Sequence, residues 1–205
     1  MGKLLAITAS AGSAPWLGME GVPVPDVSGF AKVLDFVVIM NYDIWGPWST
    51  GFGPNAPLDD TCAPGGAQMG SALSAVKAWT KSGMPVEKLV LGVPAYGHSY
   101  RVRKQDAFVE GSTTQIALYQ RMDSKAQPAG AKWDSRPGDI DVCGVNATTP
   151  GGIIQYWGMV ELGYLDSLGY PKPGQIYKFD NCSKTVCVSC WHGVVSNFLF
   201  IAVHL

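Results

Sequence analysis

The chain has 205 residues, 47% of them hydrophobic, enough to bury a sizeable core but short of the roughly 250 that a complete eight-stranded α/β barrel uses. Fifteen Lys+Arg against sixteen Asp+Glu leave a net charge of -1, which excludes the electrostatic footprint of a nucleic-acid or anionic-membrane binder and suits a neutral ligand. Seven Trp, eight Tyr and seven Phe supply flat apolar faces, which mostly pack in cores but also fit sugar rings.

Residues 1–7 carry one basic residue and a short apolar run, broken by Thr8, Ser10 and Ser13, and are not read as a signal peptide. Residues 3–12 predict a strand, residues 13–25 a turn-rich loop, and residues 27–34 a short helix leading into a buried strand that begins at Phe36. That strand ends abruptly in polar and aromatic side chains, Asn41-Tyr42-Asp43-Ile44-Trp45-Gly46. A parallel barrel presents its site in this way, at the C-terminal ends of its strands. A Gly- and Pro-rich loop follows over 48–66, then a helix over 66–83 with Met69, Ala72, Leu73, Val76 and Trp79 on one stripe. Residues 88–97 predict another buried strand, closing in Tyr96-Gly97. Strand and helix alternate, so the order implies α/β with a parallel sheet. From His98 to about Asp180 helical periodicity fades and short aromatic stretches alternate with Gly, Pro and Thr, the pattern of an α+β subdomain. Within it, residues 151–162 predict a helix and 176–180 a strand.

Met40-Asn41-Tyr42-Asp43, with Trp45 and Gly46 behind it, resembles the sixth-strand signature of glycoside hydrolase family 18, the chitinases. The continuation Gly53-Pro54-Asn55-Ala56-Pro57-Leu58 resembles the fungal form. The resemblance covers residues 3–184 and implies a partial (β/α)8 TIM barrel, about strands five to seven, with the family's α+β insertion subdomain. The implied organisation is a barrel portion over 1–97, an insertion over 98–185 and an apolar tail over 186–205 that does not resemble the family. No DxxDxDxE element, whose final Glu is the family's proton donor, occurs in the sequence.

Family 18 enzymes retain configuration without an enzymic nucleophile: the substrate's own 2-acetamido oxygen attacks the anomeric carbon. The resemblance therefore implies that Tyr42 holds the acetamido group, that Asp43 binds sugar hydroxyl or amide groups, and that Met40, Trp45 and Tyr96 line the same pocket. Taken without the motif, the favoured readings are a half-buried barrel tyrosine for Tyr42 and a cap for Asp43; with it, the site reading is favoured. His98 and Arg101 are read either as substrate contacts or as exposed loop residues. The implied partner is chitin or chitin-oligosaccharide, with no cofactor, no metal, no nucleic acid and no membrane.

Five cysteines and the sequons Asn146-Ala147-Thr148 and Asn181-Cys182-Ser183 mark a secreted ancestry, with Asn146 and Asn181 as glycosylation candidates and an extracellular location for the parent family. Cys143 and Cys182 flank the insertion's expected strands and are expected to pair. Cys187-Val188-Ser189-Cys190 is a lone CxxC without a zinc-module pattern and is read as chance, and Asp139-Ile140-Asp141 as a solvated loop. Residues 186–205 are apolar but interrupted by Ser189, His192, Ser196, Asn197 and His204, which makes a membrane span the poorer reading. Val186-Cys187 can be encoded by GTATGT, a splice-donor sequence, so translated intron is the reading for the tail. A chitinase-like hydrolase chain, inactive alone for want of the acid, stands against two rivals: a non-catalytic chitin-binding lectin and an unrelated α/β domain.

Overall fold

Three parallel strands carry the first half of the chain: β1 (Thr8–Ala11), β2 (Phe36–Met40) and β3 (Leu89–Gly92), hydrogen-bonded in that order. The computed structural model describes the backbone of residues 5–123, 125–192 and 195–201, and side chains as far as residue 188. Successive side chains of a strand point to opposite faces, and here one face buries Ala9, Ala11, Val37, Ile39 and Leu89. In-register pairing, Ala9 with Val37 and Val37 with Leu89, aligns them into one apolar row. Two helices cover that row, the single turn α1 (Ser28–Ala31) and α2 (Ala72–Lys81).

Helix α2 starts later than its apolar stripe suggests. Gly65–Ala67 forms a 3-10 turn, Gly70 takes φ +120°, and Ser71 caps the helix in a reciprocal capping box with Ser74. The buried face is Ala72, Ala75 and Trp79, whereas Met69 and Leu73 are more than half exposed. Trp79 is the keystone of this layer: fully buried, edge-on to Trp16 at 4.8 Å, its Nε1 donating to the Gly12 carbonyl at 3.2 Å.

The run expected as one strand over 88–97 divides. Leu89–Gly92 joins the parallel sheet, the chain turns at Val93-Pro94, and β4 (Tyr96–Arg101) opens a second sheet. Pro94 has no N–H to give a ladder, which is the local reason for the break. The second sheet also contains β5 (Ile153–Gln155), β6 (Ile176–Asp180), β7 (Thr185–His192) and β8 (Val195–Ile201), antiparallel in the order β5-β4-β8-β7-β6. Residues 151–162 are thus strand β5 followed by α3 (Tyr156–Glu161), rather than helix throughout. The backbone of the tail also pairs into this sheet, as β7 and β8. Cys187 and Val188 go to opposite faces, the period-two pattern of a strand buried on both sides.

Opposite faces of the second sheet carry different cores. Tyr100, Cys187 and Ile176 face Phe52 and Ile116, while Ile154, Val186 and Val188 face α3 with Met159 and Leu165. Cys187 is fully enclosed, and burial, with Asp180 nearby, holds its thiol well above the ordinary range. The side chains of Cys190, Trp191 and His192, and residue Lys3, lie outside the described residues. Among the described residues no helix is long and apolar enough to cross a membrane, and no three His, Cys, Asp or Glu side chains converge as a metal site.

The expected Cys143–Cys182 pairing is corrected. Cys182 is bonded to Cys62, 120 residues away, and Cys143 is exposed and free. The Leu58 amide donates to the Ser183 carbonyl at 2.9 Å, laying the long loop after β2 against the turn after β6 and bringing Cys62 to Cys182. Trp79→Ala empties the keystone position and is expected to lower unfolding free energy by about 3–5 kcal/mol. Urea unfolding followed by circular dichroism checks this; a loss below about 1 kcal/mol would show that the helix layer does not depend on the indole.

Candidate active site

The site begins where β2 ends. Beyond Met40 the chain leaves the ladder, and Asn41 turns inward, 3% exposed, its Nδ2 donating to the Pro57 carbonyl at 3.2 Å. Asp43 then adopts φ +58°, a left-handed conformation that a non-glycine residue holds only when its surroundings insist. Asn55 is what insists. Its Oδ1 accepts from the Asp43 amide at 2.9 Å, its carbonyl accepts from the Ile44 amide at 3.1 Å, and its Nδ2 donates to the Tyr96 carbonyl at 3.0 Å.

That clamp aims the Asp43 carboxylate at β4. Oδ1 accepts from the Tyr96 hydroxyl at 2.8 Å and lies 2.9 Å from His98 Nε2. Against a carboxylate the imidazole nitrogen must donate, so Nε2 carries the proton. His98 is 3% exposed and boxed by rings: Trp48 at 5.6 Å, Tyr96 at 5.8 Å and Tyr100 at 6.4 Å, all near edge-on. Its Nδ1 has no partner among the described residues. Burial raises the Tyr96 phenol far above its usual value, and the accepting Asp43 carboxylate adds to this. Tyr100 is raised for the same leading reason, its burial, with Asp43 and Cys187 contributing. Both phenols therefore stay protonated and able to donate.

Tyr42 sits half-buried beside this pair, its ring edge-on to Tyr96 at 6.3 Å. The absence of a side chain at Gly92 gives it room, because a Cβ there would lie 3.1 Å from the Tyr42 ring. Met40 is 38% exposed on the face of the parallel sheet away from the helices. The structure thus brings Met40, Tyr42, Asp43, Tyr96 and His98 to one end of the sheet, but it does not bring Trp45. Trp45 is 6% exposed, packed against Ala63, Ala67 and Tyr119, with Gly53 against its ring so closely that a Cβ there would meet it at 2.6 Å. No open indole face remains for a sugar, so Trp45 anchors the loop instead. His98, buried as it is, reaches the site through Asp43 rather than from an exposed loop. Arg101 ends β4 beyond this cluster.

Two residues went unassigned in the sequence. Asn55 lies inside the fungal-form segment, but nothing in its spacing shows that it closes on Asp43. Trp48 is 64% exposed and edge-on to His98, a free indole at the rim. The signal for it was Gly46-Pro47-Trp48, since Gly46 leaves room for the indole to fold back over the turn.

The glycosyl hydrolases family 18 profile matches residues 2–186. A chitinase-like effector of Moniliophthora roreri is 56% identical over 181 residues, covering 88% of this chain and 44% of that protein. The crystal structure of chitinase RmChi1 from Rhizomucor miehei superposes with TM-score 0.77 at 28% identity, over 97% of this chain and 50% of its own. A class V chitinase of Nicotiana tobaccum, solved in complex with NAG4, shares the fold with TM-score 0.63 at 22% identity, over 98% of this chain and 45% of its own. The chain spans about half the length of each of these proteins.

Asn55→Ala removes the side-chain partner of two backbone groups at once and is expected to destabilise the chain by about 1–3 kcal/mol through the orphaned Asp43 amide and Tyr96 carbonyl. Chemical denaturation measures the loss, and the Tyr96 and His98 ring resonances should shift with it. Unchanged resonances would mean that Asp43 holds its conformation without the clamp.

Proposed function

Because the chain belongs to glycosyl hydrolases family 18, we propose that it is a chitinase-like chain whose parent activity is hydrolysis of β-1,4-linked N-acetylglucosamine polymers, and that its 205 residues carry the saccharide-positioning part of that chemistry. Its main support is the Asp43 carboxylate held by Tyr96 and His98, with the Tyr42 ring edge-on to Tyr96, at the strand end where such a barrel works.

In this reading the substrate supplies the nucleophile. The Tyr42 hydroxyl donates to the acetamido oxygen as it attacks, orienting it and stabilising the charge of the cyclic intermediate. Asp43 keeps Oδ1 committed to Tyr96 and His98 and offers Oδ2, which has no protein partner among the described residues, to a sugar hydroxyl or the acetamido N–H. His98 is a positioning residue that acts through Asp43. The indole of Trp48 and the side chain of Met40 offer apolar surface to the pyranose ring. The proton donor to the leaving oxygen is not among these residues, so positioning proceeds without acid catalysis. An extracellular setting fits the Cys62–Cys182 bridge and the two sequons.

A second reading, a non-catalytic chitin-binding protein, is favoured by the name of the Moniliophthora relative, a chitinase-like effector. Both readings need the same residues and both leave this chain without turnover, so turnover separates them only in a longer protein that also carries a proton donor.

The purified chain is expected to release no reducing sugar from chitin-oligosaccharide above a buffer blank, since the missing acid is worth about 10²–10⁴-fold. Release that survives replacement of every carboxylate would refute the assigned mechanism. In binding, Asp43→Ala should weaken chitin-oligosaccharide affinity by roughly tenfold or more, the loss of a charge-assisted hydrogen bond of about 1.5–3 kcal/mol. Calorimetric titration reads this directly, and equal affinity for the variant and the parent chain would remove Asp43 from the site.

A further inference from the structure

The two sequons, alike on paper, occupy opposite environments. Asn146 stands in a hairpin over residues 136–147, closed by Gly138 N to Ala147 O at 2.9 Å, Ala147 N to Asp139 O at 2.8 Å and Asp141 N to Val145 O at 3.0 Å. Asn146 and Thr148 are both exposed, and among the described residues no side-chain hydrogen bond holds either of them. The acceptor amide and the hydroxyl two residues on, which oligosaccharide transfer needs together, are free to be engaged.

At Asn181 the second half of the sequon is spent on the fold. Ser183 is 0% exposed; its Oγ donates to Asp180 Oδ2 at 2.7 Å and its amide to the same oxygen at 2.8 Å. Its carbonyl accepts the Leu58 amide, and the middle residue, Cys182, is tied to Cys62. Cys62 precedes Cys182 by 120 residues, so it has already entered an oxidising lumen when Asn181 emerges, and closing the bridge removes the extended conformation a transferase must grip.

The hairpin carrying Asn146 also has a surface in need of cover. Ile140 is the direct cross-strand partner of Asn146, so their side chains share a face. Ile140 is 68% exposed, Val145 62%, and Val142 at the tip fully so. Exposed apolar side chains concentrated on one hairpin favour self-association.

We propose that Asn146, and not Asn181, carries an N-linked glycan, and that this glycan covers the apolar tip formed by Ile140, Val142 and Val145. The inference goes beyond the saccharide-binding groove and needs only passage through a secretory compartment.

The test secretes the 205-residue chain from yeast behind a heterologous leader and maps its peptides before and after peptide-N-glycosidase. One glycan is expected, with Asn146 converted to Asp by the enzyme. Asn146→Gln and, separately, Thr148→Ala should each abolish it, and Asn181→Gln should leave it intact. Should a variant be retained in the cell, the same mass shift is read on microsomal material. A glycan on Asn181, on both residues, or on neither overturns the site assignment. The covering role is read by light scattering: enzymatic removal of the glycan should raise self-association several-fold in the parent chain and not in a Val142→Ser, Val145→Ser variant. Equal scattering with and without the glycan overturns the covering role and leaves the chitin-binding measurements unaffected.

Discussion

One buried side chain, Asn55, joins the two halves of this molecule at the point where they must agree. Its amide spans from the Asp43 N–H, at the end of the parallel sheet, to the Tyr96 carbonyl, at the start of the antiparallel one. A carboxamide suits this role because it donates and accepts in a fixed plane, and at 0% exposure no water can substitute for either bond. Leaving such groups unpaired is expensive, so the clamp fixes the relative placement of β2 and β4 and, with it, the distance between Asp43 and the two side chains of β4 that hold it.

Asp43 in φ +58° is strained, and the strain has a use. A residue following β2 in extended geometry would carry its side chain to one face of the parallel sheet; Asp43, in the left-handed conformation, places its carboxylate on Tyr96 and His98 of β4 instead. Tyr96 and His98 lie two residues apart on that strand and so share a face, which lets both reach one carboxylate oxygen. Period two thus does for Asp43 what a dedicated binding loop would otherwise have to do. The same period sends Ser99 to the far face, where Gln127 Nε2 donates to its carbonyl and α3 covers the sheet.

Much of this was legible in the residues. The β2 run, its polar terminus and the α/β order of the first half follow from apolar patterning, and Met40-Asn41-Tyr42-Asp43 names its family because the motif is specific. Pairings across long separations were not legible. Cys62 and Cys182 meet only because Leu58 and Ser183 share a backbone bond, and Asn55 reaches Asp43 only because the loop doubles back. Trp45 misled for a related reason: an aromatic just past a barrel strand suits a ligand pocket, and what buries it is the loop segment with Ala63 and Ala67, together with Tyr119, remote in sequence. Pro94 was a local signal that a continuous apolar run concealed.

The long-range links also explain why the second sheet cannot be treated as an appendage of the parallel layer. The Cys62–Cys182 bridge closes a loop of 120 residues, and in the loop-entropy picture such a crosslink disfavours the unfolded chain by about 4–5 kcal/mol. It ties the long loop after β2 to the turn after β6, while Asn55 ties the same loop to the start of β4. The loop over 48–66 is therefore held at Asn55 and at Cys62, with Trp45 packed against its Ala63 and Trp48 left exposed. What the junction between the two sheets fixes is the placement of the Asp43 carboxylate against Tyr96 and His98, and no residue of either sheet fixes it alone.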